Sequence, residues 1–155
     1  MGTPNFILRT ISTFFYIGYL PFAPGTFASI AALSFFYAVK GNDAVYLSLA
    51  AGLTLLGFLV SGRAEKGFGR KDPPCIVIDE VSGMLLSLLF IPYDVRLVIA
   101  AFILFRVLDI FKPYPARRVQ DLPGSIGIMG DDIIAALYTN IIVQVFLRVA
   151  SFKAS

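Results

Sequence analysis

The chain contains no histidine, a single cysteine and few charged residues. Without histidine, no imidazole can serve as a base, a nucleophile or a zinc ligand, so any chemistry must use carboxylates, Lys, Arg, hydroxyls, the thiol or a bound metal. The single cysteine, Cys75, excludes an internal disulfide. Charged residues make up 15% of the chain, whereas a water-soluble domain usually carries about 25%. The composition therefore excludes histidine-based catalysis and disfavours an ordinary soluble domain.

Apolar residues take the place of the missing charge. They account for 57% of the 155 residues, and the mean hydropathy is +0.80. The apolar runs 44–61 and 133–150 approach the roughly 20 residues that a helix needs to span a bilayer. The sequence therefore favours a small integral membrane helical bundle over an unusually apolar soluble one, and its length indicates a single domain, 1–155.

We predict an all-α fold, in which turns rich in glycine and proline separate the helices. We predict about five long apolar helices, at 27–39, 44–61, 73–91, 95–111 and 133–150. The mixed stretch 6–20 predicts an additional N-terminal interfacial or re-entrant helix. The glycine-rich segments 62–71 and 122–130 are predicted to be loops. Small residues in the first long helix, such as Ala28 and Ala32, would let a neighbouring helix approach closely.

The basic residues indicate an orientation in the membrane. If all five helices span, most Lys and Arg fall in the N-terminus and in the segments 62–71 and 112–131. Basic loops stay on the cytoplasmic side, so these segments are predicted to face the cytoplasm. The acidic residues near the same helix ends would then converge on one membrane surface.

The stretch from Asp72 to Gly83 is the most unusual in the chain, because it places carboxylates in an otherwise apolar segment. With Asp72 as N-cap and Pro73 at the first helical position, Asp79 and Glu80 would share one helix face with Asp72. Ionisable groups in such a segment are costly and usually functional. For the acids at helix starts, a role in capping remains an equal alternative.

Carboxylates recur near the predicted cytoplasmic helix ends. The acidic set is Asp72, Asp79, Glu80, Asp109, Asp131 and Asp132. Hard cations such as Mg²⁺ prefer oxygen ligands and can polarise a phosphoryl oxygen. Arg106 and Lys112 could bind phosphate oxygens, although Arg106 lies three residues before Asp109 and could simply pair with it. The pattern predicts a cation site beside a phosphate site.

Four motifs together resemble the phosphatidylglycerophosphatase A family. They are Ala23-Pro-Gly-Thr26 with Ser29, the stretch from Asp72 to Gly83, the stretch from Phe105 to Pro115, and the stretch from Gly127 to Asp132. They occur in the family's order and extend over most of the chain between residues 18 and 136.

The resemblance implies a Mg²⁺-dependent phosphatase of the bacterial inner membrane, multi-pass, with its active site facing the cytoplasm. Its substrate would be the membrane phospholipid phosphatidylglycerol phosphate, cleaved to phosphatidylglycerol and inorganic phosphate. The expected catalytic residues are Asp79, Glu80, Asp109, Asp131 and Asp132. The expected metal ligands are Asp79, Glu80, Asp131, Asp132 and Asp72. Arg106, Lys112, Thr26 and Ser29 would bind substrate. Water and an aspartate both remain open as the nucleophile.

Two other classes of protein fit the same composition. A small cation-coupled carrier or channel subunit would use the acids to bind ions in transit. It should also have polar groups along the far half of its helices, which is almost purely apolar in this sequence. A lipid-binding or structural membrane protein without turnover is the third alternative, and it would require no particular metal.

Overall fold

The computed structural model describes residues 4–154, and the regular structure of these residues is entirely helical. The α-helices are α1 (Phe6–Ser12), α2 (Pro24–Ala38), α3 (Asp43–Phe68), α4 (Ile78–Ser87), α5 (Val95–Phe111), α6 (Ala116–Gln120) and α7 (Ser125–Ala154). A short 3₁₀ turn, Ile17–Tyr19, follows α1. The all-helical prediction is confirmed.

Side-chain caps begin several helices where the sequence indicates them. The Asn42 side chain accepts a hydrogen bond from the backbone N–H of Val45 at 3.1 Å, at the start of α3. The Asp94 side chain does the same for Arg96 at 2.8 Å, at the start of α5. α5 ends at Phe111, because Lys112 turns into the left-handed region with φ 48° ahead of Pro113. Its predicted bounds are confirmed.

The two segments predicted as glycine-rich loops are mostly helical, so those predictions are wrong. α3 continues to Phe68 and α7 begins at Ser125. A Cβ on Gly127 would lie 2.2 Å from the Leu122 carbonyl oxygen, and one on Gly130 would lie 2.4 Å from a methyl carbon of Val119. These glycines permit close packing of α7 on the segment before it. Asp131 and Asp132 therefore lie about two turns inside α7 instead of beginning it.

α4 begins six residues later than Asp72, so the prediction that Asp72 caps this helix ahead of Pro73 is also wrong. Asp72 has φ 46° and α4 starts at Ile78. The physical reason lies in the second proline, since Pro74 disfavours the helical conformation of the residue before it. Asp79 and Glu80 consequently occupy the first turn of α4, and Asp72 reaches them from a preceding loop.

α4 forms the centre of the bundle and packs against α2, α3, α5 and α7. Ile78, Val81 and Leu85 are fully buried along it. Gly83 makes room for a ring of α5, because a Cβ there would lie 2.6 Å from Phe105. On the α2 side, Ala28 and Ala32 are fully buried, as the small residues predicted. Close approach on both sides positions the first turn of α4 between α2 and α5.

Side-chain amides from α7 cap the end of α4. Asn140 Nδ2 donates hydrogen bonds to the carbonyl oxygens of Ser87 at 3.0 Å and Leu89 at 2.8 Å. Gln144 Nε2 donates to Asn140 Oδ1 at 2.9 Å. The last carbonyls of a helix have no partner within it, and leaving them unpaired in an apolar setting is costly. These two polar residues of α7 therefore have a structural explanation.

Replacing Asn140 with Leu should lower the free energy of unfolding by about 1–3 kcal/mol. The Ser87 carbonyl would lose its side-chain donor, and the Leu89 carbonyl would keep only the 3.4 Å bond from Gln144. Chemical denaturation of the detergent-solubilised protein would measure the change. Ile141→Leu is the matched control, since Ile141 is exposed on the same helix. Equal effects from both substitutions would contradict the capping role.

Within residues 4–154, two helices are long and apolar enough to cross a membrane, Asp43–Phe68 and Ser125–Phe152. Only 28% and 22% of their most apolar windows are buried in the protein, whereas the core helix of a soluble protein hides its apolar face. Of the five long apolar helices predicted, α2 and α5 contain 15 and 17 residues, close to their predicted bounds, whereas α4 contains only 10. Five membrane-spanning helices therefore stay a prediction. The coarser prediction, a helical protein with segments able to span a membrane, stands.

Candidate active site

A polar cavity of about 280 Å³ lies between the beginning of α2, the beginning of α4, the end of α5 and the second turn of α7. All six acids that the sequence singled out line it: Asp72, Asp79, Glu80, Asp109, Asp131 and Asp132. Arg106 and Lys112 line it as well. Carboxylates separated by as many as 60 positions in the sequence thus meet in one place.

Asp79, Glu80 and Asp132 form the tightest group in the cavity. One carboxylate oxygen from each lies within 4.8 Å of the other two. Each of the three residues also has a buried side-chain oxygen without a hydrogen-bond partner. Buried carboxylate oxygens that lack donors are costly unless a cation satisfies them. The donor set is made only of oxygen, which is the set that Mg²⁺ prefers, so these residues fit a hard divalent cation.

The electrostatics of α4 agree with this interpretation. Burial, and then the neighbouring charge of Glu80, raise the pKa of Asp79 well above its usual range. Burial also raises the pKa of Glu80, although Arg106 partly offsets the effect. A cation placed among these carboxylates would favour their ionised forms. Metal binding should therefore release protons, and it should weaken as the pH falls.

Arg106 holds the α5 side of the cavity. Its Nη1 lies 2.7 Å from Asp109 Oδ2 and 3.9 Å from Glu80 Oε1, and its Nε is buried without a hydrogen-bond partner. The pairing with Asp109, which the sequence left open, is present. The guanidinium carries five donors, so it can pair with Asp109 and still bind an anion in the cavity.

Lys112 pairs with Asp131 across the cavity. Burial lowers the pKa of Lys112, but the hydrogen bond with Asp131 and the surrounding carboxylates outweigh burial, so the pKa lies above its usual value. The ammonium is therefore charged. Lys112 engages Oδ2 of Asp131, while Oδ1 of the same residue is buried without a hydrogen-bond partner. By distance, neither Asp131 nor Asp72 belongs to the group of Asp79, Glu80 and Asp132. A metal role for Asp131 and Asp72 stays a prediction.

Two residues that the sequence analysis missed position Asp72. Glu65 Oε1 accepts a hydrogen bond from the backbone N–H of Asp72 at 3.0 Å. Gln120 Nε2 donates to Asp72 Oδ2 at 3.2 Å. Together they hold Asp72 in its left-handed conformation at the edge of the cavity. No local pattern could have revealed these contacts, because they join the end of α3 and the end of α6 to a loop between them.

The beginning of α2 approaches the acids through glycine. A Cβ on Gly25 would lie 1.9 Å from Glu80 Oε1 and 3.2 Å from Arg106 Nη2. Thr26 and Ser29, predicted to bind substrate, are not among the residues that line the cavity. Ser29 is fully buried, and its hydroxyl donates to the Gly25 carbonyl at 2.9 Å. In this motif the residues that border the cavity are Ala23, Pro24 and Gly25.

Comparison with known proteins agrees with the motifs. The sequence profile of the family described as Phosphatidylglycerophosphatase A matches residues 10–147. Escherichia coli phosphatidylglycerophosphatase A is 37% identical over 123 residues, 77% of this chain and 72% of its own length. The Haemophilus influenzae protein of the same name is 36% identical over 125 residues, 78% of this chain and 77% of its own.

A third relative carries a different name. A Bacteroides thetaiotaomicron protein, provisionally named a phosphatidylinositol-3-phosphatase, is 34% identical over 154 residues, 94% of this chain and 96% of its own. No solved structure gives a significant match. The names of all three relatives describe hydrolysis of a phosphate from a phospholipid headgroup.

Proposed function

This chain belongs to the phosphatidylglycerophosphatase A family, and we propose on that basis that it hydrolyses phosphatidylglycerol phosphate to phosphatidylglycerol and inorganic phosphate. As a member it is an enzyme, a phosphatase acting on phosphoric monoesters. The observation that supports this substrate chemistry is the cavity itself, in which six carboxylates and two cations from separate helices surround about 280 Å³. That combination suits a phosphate group with a divalent ion.

Arg106 and Lys112 bind the oxygens of the terminal phosphate. Each has donors beyond those that its carboxylate partner, Asp109 or Asp131, engages. The two cations project from the end of α5, whereas the group of Asp79, Glu80 and Asp132 lies on α4 and α7. A phosphate held between these two sets has its leaving-group oxygen directed away from them, towards the lipid.

Water is the simplest nucleophile in a chain without imidazole. Its oxygen forms the new bond to phosphorus, and the bond between phosphorus and the glycerol oxygen breaks. One proton of the water passes to a carboxylate of the cavity. A protonated carboxyl group of the cavity gives a proton to the leaving alkoxide, which becomes the hydroxyl of phosphatidylglycerol, so the number of protons held by the carboxylates is unchanged. An aspartyl nucleophile would require the same residues in a two-step reaction.

Mg²⁺ is the cofactor that we assign to Asp79, Glu80 and Asp132. The buried, partnerless oxygens of these residues support it. When bound, the ion would offset the negative charge of the phosphate and polarise one of its oxygens. Asp72 lines the same cavity and could contribute through a water molecule.

We place the enzyme in the bacterial inner membrane, with α3 and α7 crossing it and the cavity at the cytoplasmic surface. The apolar, poorly buried windows of these two helices support this location. The basic segment at the end of α3, which includes Arg63, Lys66 and Arg70, supports the orientation. The lipid substrate is the one partner that this arrangement requires.

A phosphatidylinositol phosphate should be tested as a second substrate. The Bacteroides thetaiotaomicron relative named as a phosphatidylinositol-3-phosphatase aligns with 94% of this chain. The carrier alternative is weaker than either phosphatase. Asn140 and Gln144 are polar residues in the far half of α7, but their amides are engaged in capping α4. They therefore do not form a free polar path across the membrane.

Phosphate release from purified protein in mixed micelles would test the function. We expect release from phosphatidylglycerol phosphate with Mg²⁺, and loss of release in excess EDTA that is restored by added Mg²⁺. Phosphatidylinositol 3-phosphate, assayed in parallel, would distinguish the two headgroups by kcat/KM. Full activity in EDTA would overturn the metal assignment, and release from neither lipid would overturn the proposed function.

A further inference from the structure

One face of α5 presents apolar side chains to its surroundings. The residues between 43% and 78% exposed on this face, called the α5 stripe below, are Ile99, Ile103, Val107, Ile110 and Phe111. Helices of soluble bundles bury such a stripe or make it polar, and an exposed contiguous apolar surface usually marks an interaction site. We therefore expect another molecule to bind against the α5 stripe.

Arg106 joins the stripe to the cavity. It follows Ile103 by three positions and precedes Ile110 by four, so the three side chains are neighbours on one helix face. Yet its guanidinium lies in the cavity, 2.7 Å from Asp109. A molecule whose phosphate is held by Arg106 can therefore extend directly onto the α5 stripe.

The side of the cavity at Asp72 is polar, in contrast to the side at α5. Asp72 borders both the cavity and a neighbouring surface cleft that includes Lys71, Gln120 and Asp121. The α5 stripe contains no such groups, and nearby on the α2 side Phe22, next to cavity-lining Ala23, is 80% exposed. A ligand with a charged end and an apolar end fits this division, with its apolar end directed to α5.

The length of the stripe also matches a lipid. From Ile99 to Phe111 it extends about 18 Å at the rise of an α-helix. One leaflet of the hydrocarbon core is about 15 Å thick, half of the roughly 30 Å of a bilayer. The stripe ends at Phe111, directly before Lys112, which also lines the cavity. Measured from this phosphate-binding cation, it can accompany an acyl chain over most of its length.

We propose that the α5 stripe is the acyl-chain site of this enzyme: the chains of the lipid lie along Ile103 and Ile110 while the phosphate occupies the cavity. The proposal rests on the proposed function, since it assigns the apolar part of the same substrate. A second copy of the chain is the competing occupant. It would cover the stripe at all times, whereas a lipid enters and leaves sideways.

The absence of tryptophan from the chain provides a direct test of occupancy. Ile103→Trp creates a single fluorophore on the stripe, and Leu122→Trp, at an exposed position before α7, is the control. In vesicles of phospholipids with brominated acyl chains, we expect strong quenching of the first and little of the second. Equal quenching, or quenching at Ile103→Trp that disappears as the ratio of protein to lipid rises, would overturn the proposal in favour of a polar surface or a second copy.

Activity tests whether the substrate itself uses the stripe. For Ile103→Asn, we expect the ratio of kcat/KM for a long-chain lipid phosphate to that for a short-chain, water-soluble one to fall about tenfold, because a buried apolar contact is lost. Leu55→Asn, at an equally exposed site on α3, should leave the ratio unchanged. An unchanged ratio in Ile103→Asn would overturn the acyl-chain site. A wild-type protein inactive on both substrates would refute the proposed function instead, and quenching would then decide by itself whether lipid chains occupy the stripe.

Discussion

Asp79→Asn is expected to reduce phosphate release by about 100-fold or more, because loss of an outer partner of a metal ligand already costs about 10–100-fold. Asp79 is 8% exposed and belongs to the group whose carboxylate oxygens lie within 4.8 Å of one another. An amide of nearly the same shape removes one negative charge from this group without leaving a void. Glu80→Gln and Asp132→Asn should behave in the same way.

The same substitution should not destabilise the metal-free protein. The raised pKa of Asp79 means that its ionisation opposes folding, so this residue's contribution to stability is lost as the pH rises through its folded pKa. Asn cannot ionise, so the variant does not lose stability in this way as the pH rises. We therefore expect an equal or higher Tm for Asp79→Asn without Mg²⁺, and a smaller increase of Tm when Mg²⁺ is added than in wild type.

Asp43→Asn is the matched control for charge, because Asp43 is exposed in the first turn of α3, away from the cavity. It should change neither phosphate release nor the increase of Tm with Mg²⁺. If Asp79→Asn retained wild-type turnover, or if both variants lost it equally, the assignment of the metal group would be wrong.

Gly25→Ala is expected to lower activity by about 100-fold while the protein remains folded. The added Cβ would lie 1.9 Å from Glu80 Oε1, so the carboxylate has to move. Because Oε1 is the free end of a side chain, this movement costs little stability. It nevertheless displaces the Glu80 carboxylate, whose partnerless Oε2 supports the metal assignment, by about 1 Å or more. Misplacement of that size can cost about 100-fold in rate.

Gly52→Ala gives the comparison for Gly25→Ala. Gly52 lies within α3, and a Cβ there would meet nothing within 4 Å. Alanine should preserve activity and add up to about 1 kcal/mol of stability, because glycine is the poorer helix former. A steady-state assay and a melting curve of each variant suffice. Unimpaired turnover in Gly25→Ala would show that Glu80 need not hold its observed position.

The sequence was sufficient to predict the composition of the cavity but not the elements that carry it. Asp79, Glu80 and Asp109 could be recognised because carboxylates within apolar helices are costly. That they meet Asp132 follows from helix packing around Gly83, whose close contact with Phe105 is specified by no local signal. The sequence therefore predicted that the acids converge at one end of the bundle, as they do in the cavity. It did not predict which side chains from distant parts of the chain contact one another.

Glycine and proline caused the main errors in the predicted elements. Gly127 and Gly130 indicate a loop by propensity, but packing on the preceding segment requires residues without a side chain there, and tertiary contacts outweigh propensity. Pro73 alone would favour a helix start at this point, but Pro74 disfavours the helical conformation of Pro73, so α4 begins only at Ile78. The stop at Lys112 was predicted correctly because the two prolines that follow act locally.

The short length of α4 affects how the enzyme tolerates different bilayers. Its ten residues rise only about 15 Å, and its end is fixed by the amides of Asn140 and Gln144. If α3 and α7 cross the membrane as proposed, a mismatch between protein and bilayer thickness can be absorbed by tilting of these long helices. Because α4 does not reach the opposite surface and its end is bonded to α7, which also carries Asp132, α4 follows α7 when that helix tilts. The spacing of the acids is thereby kept, and one catalytic geometry can serve membranes of differing thickness.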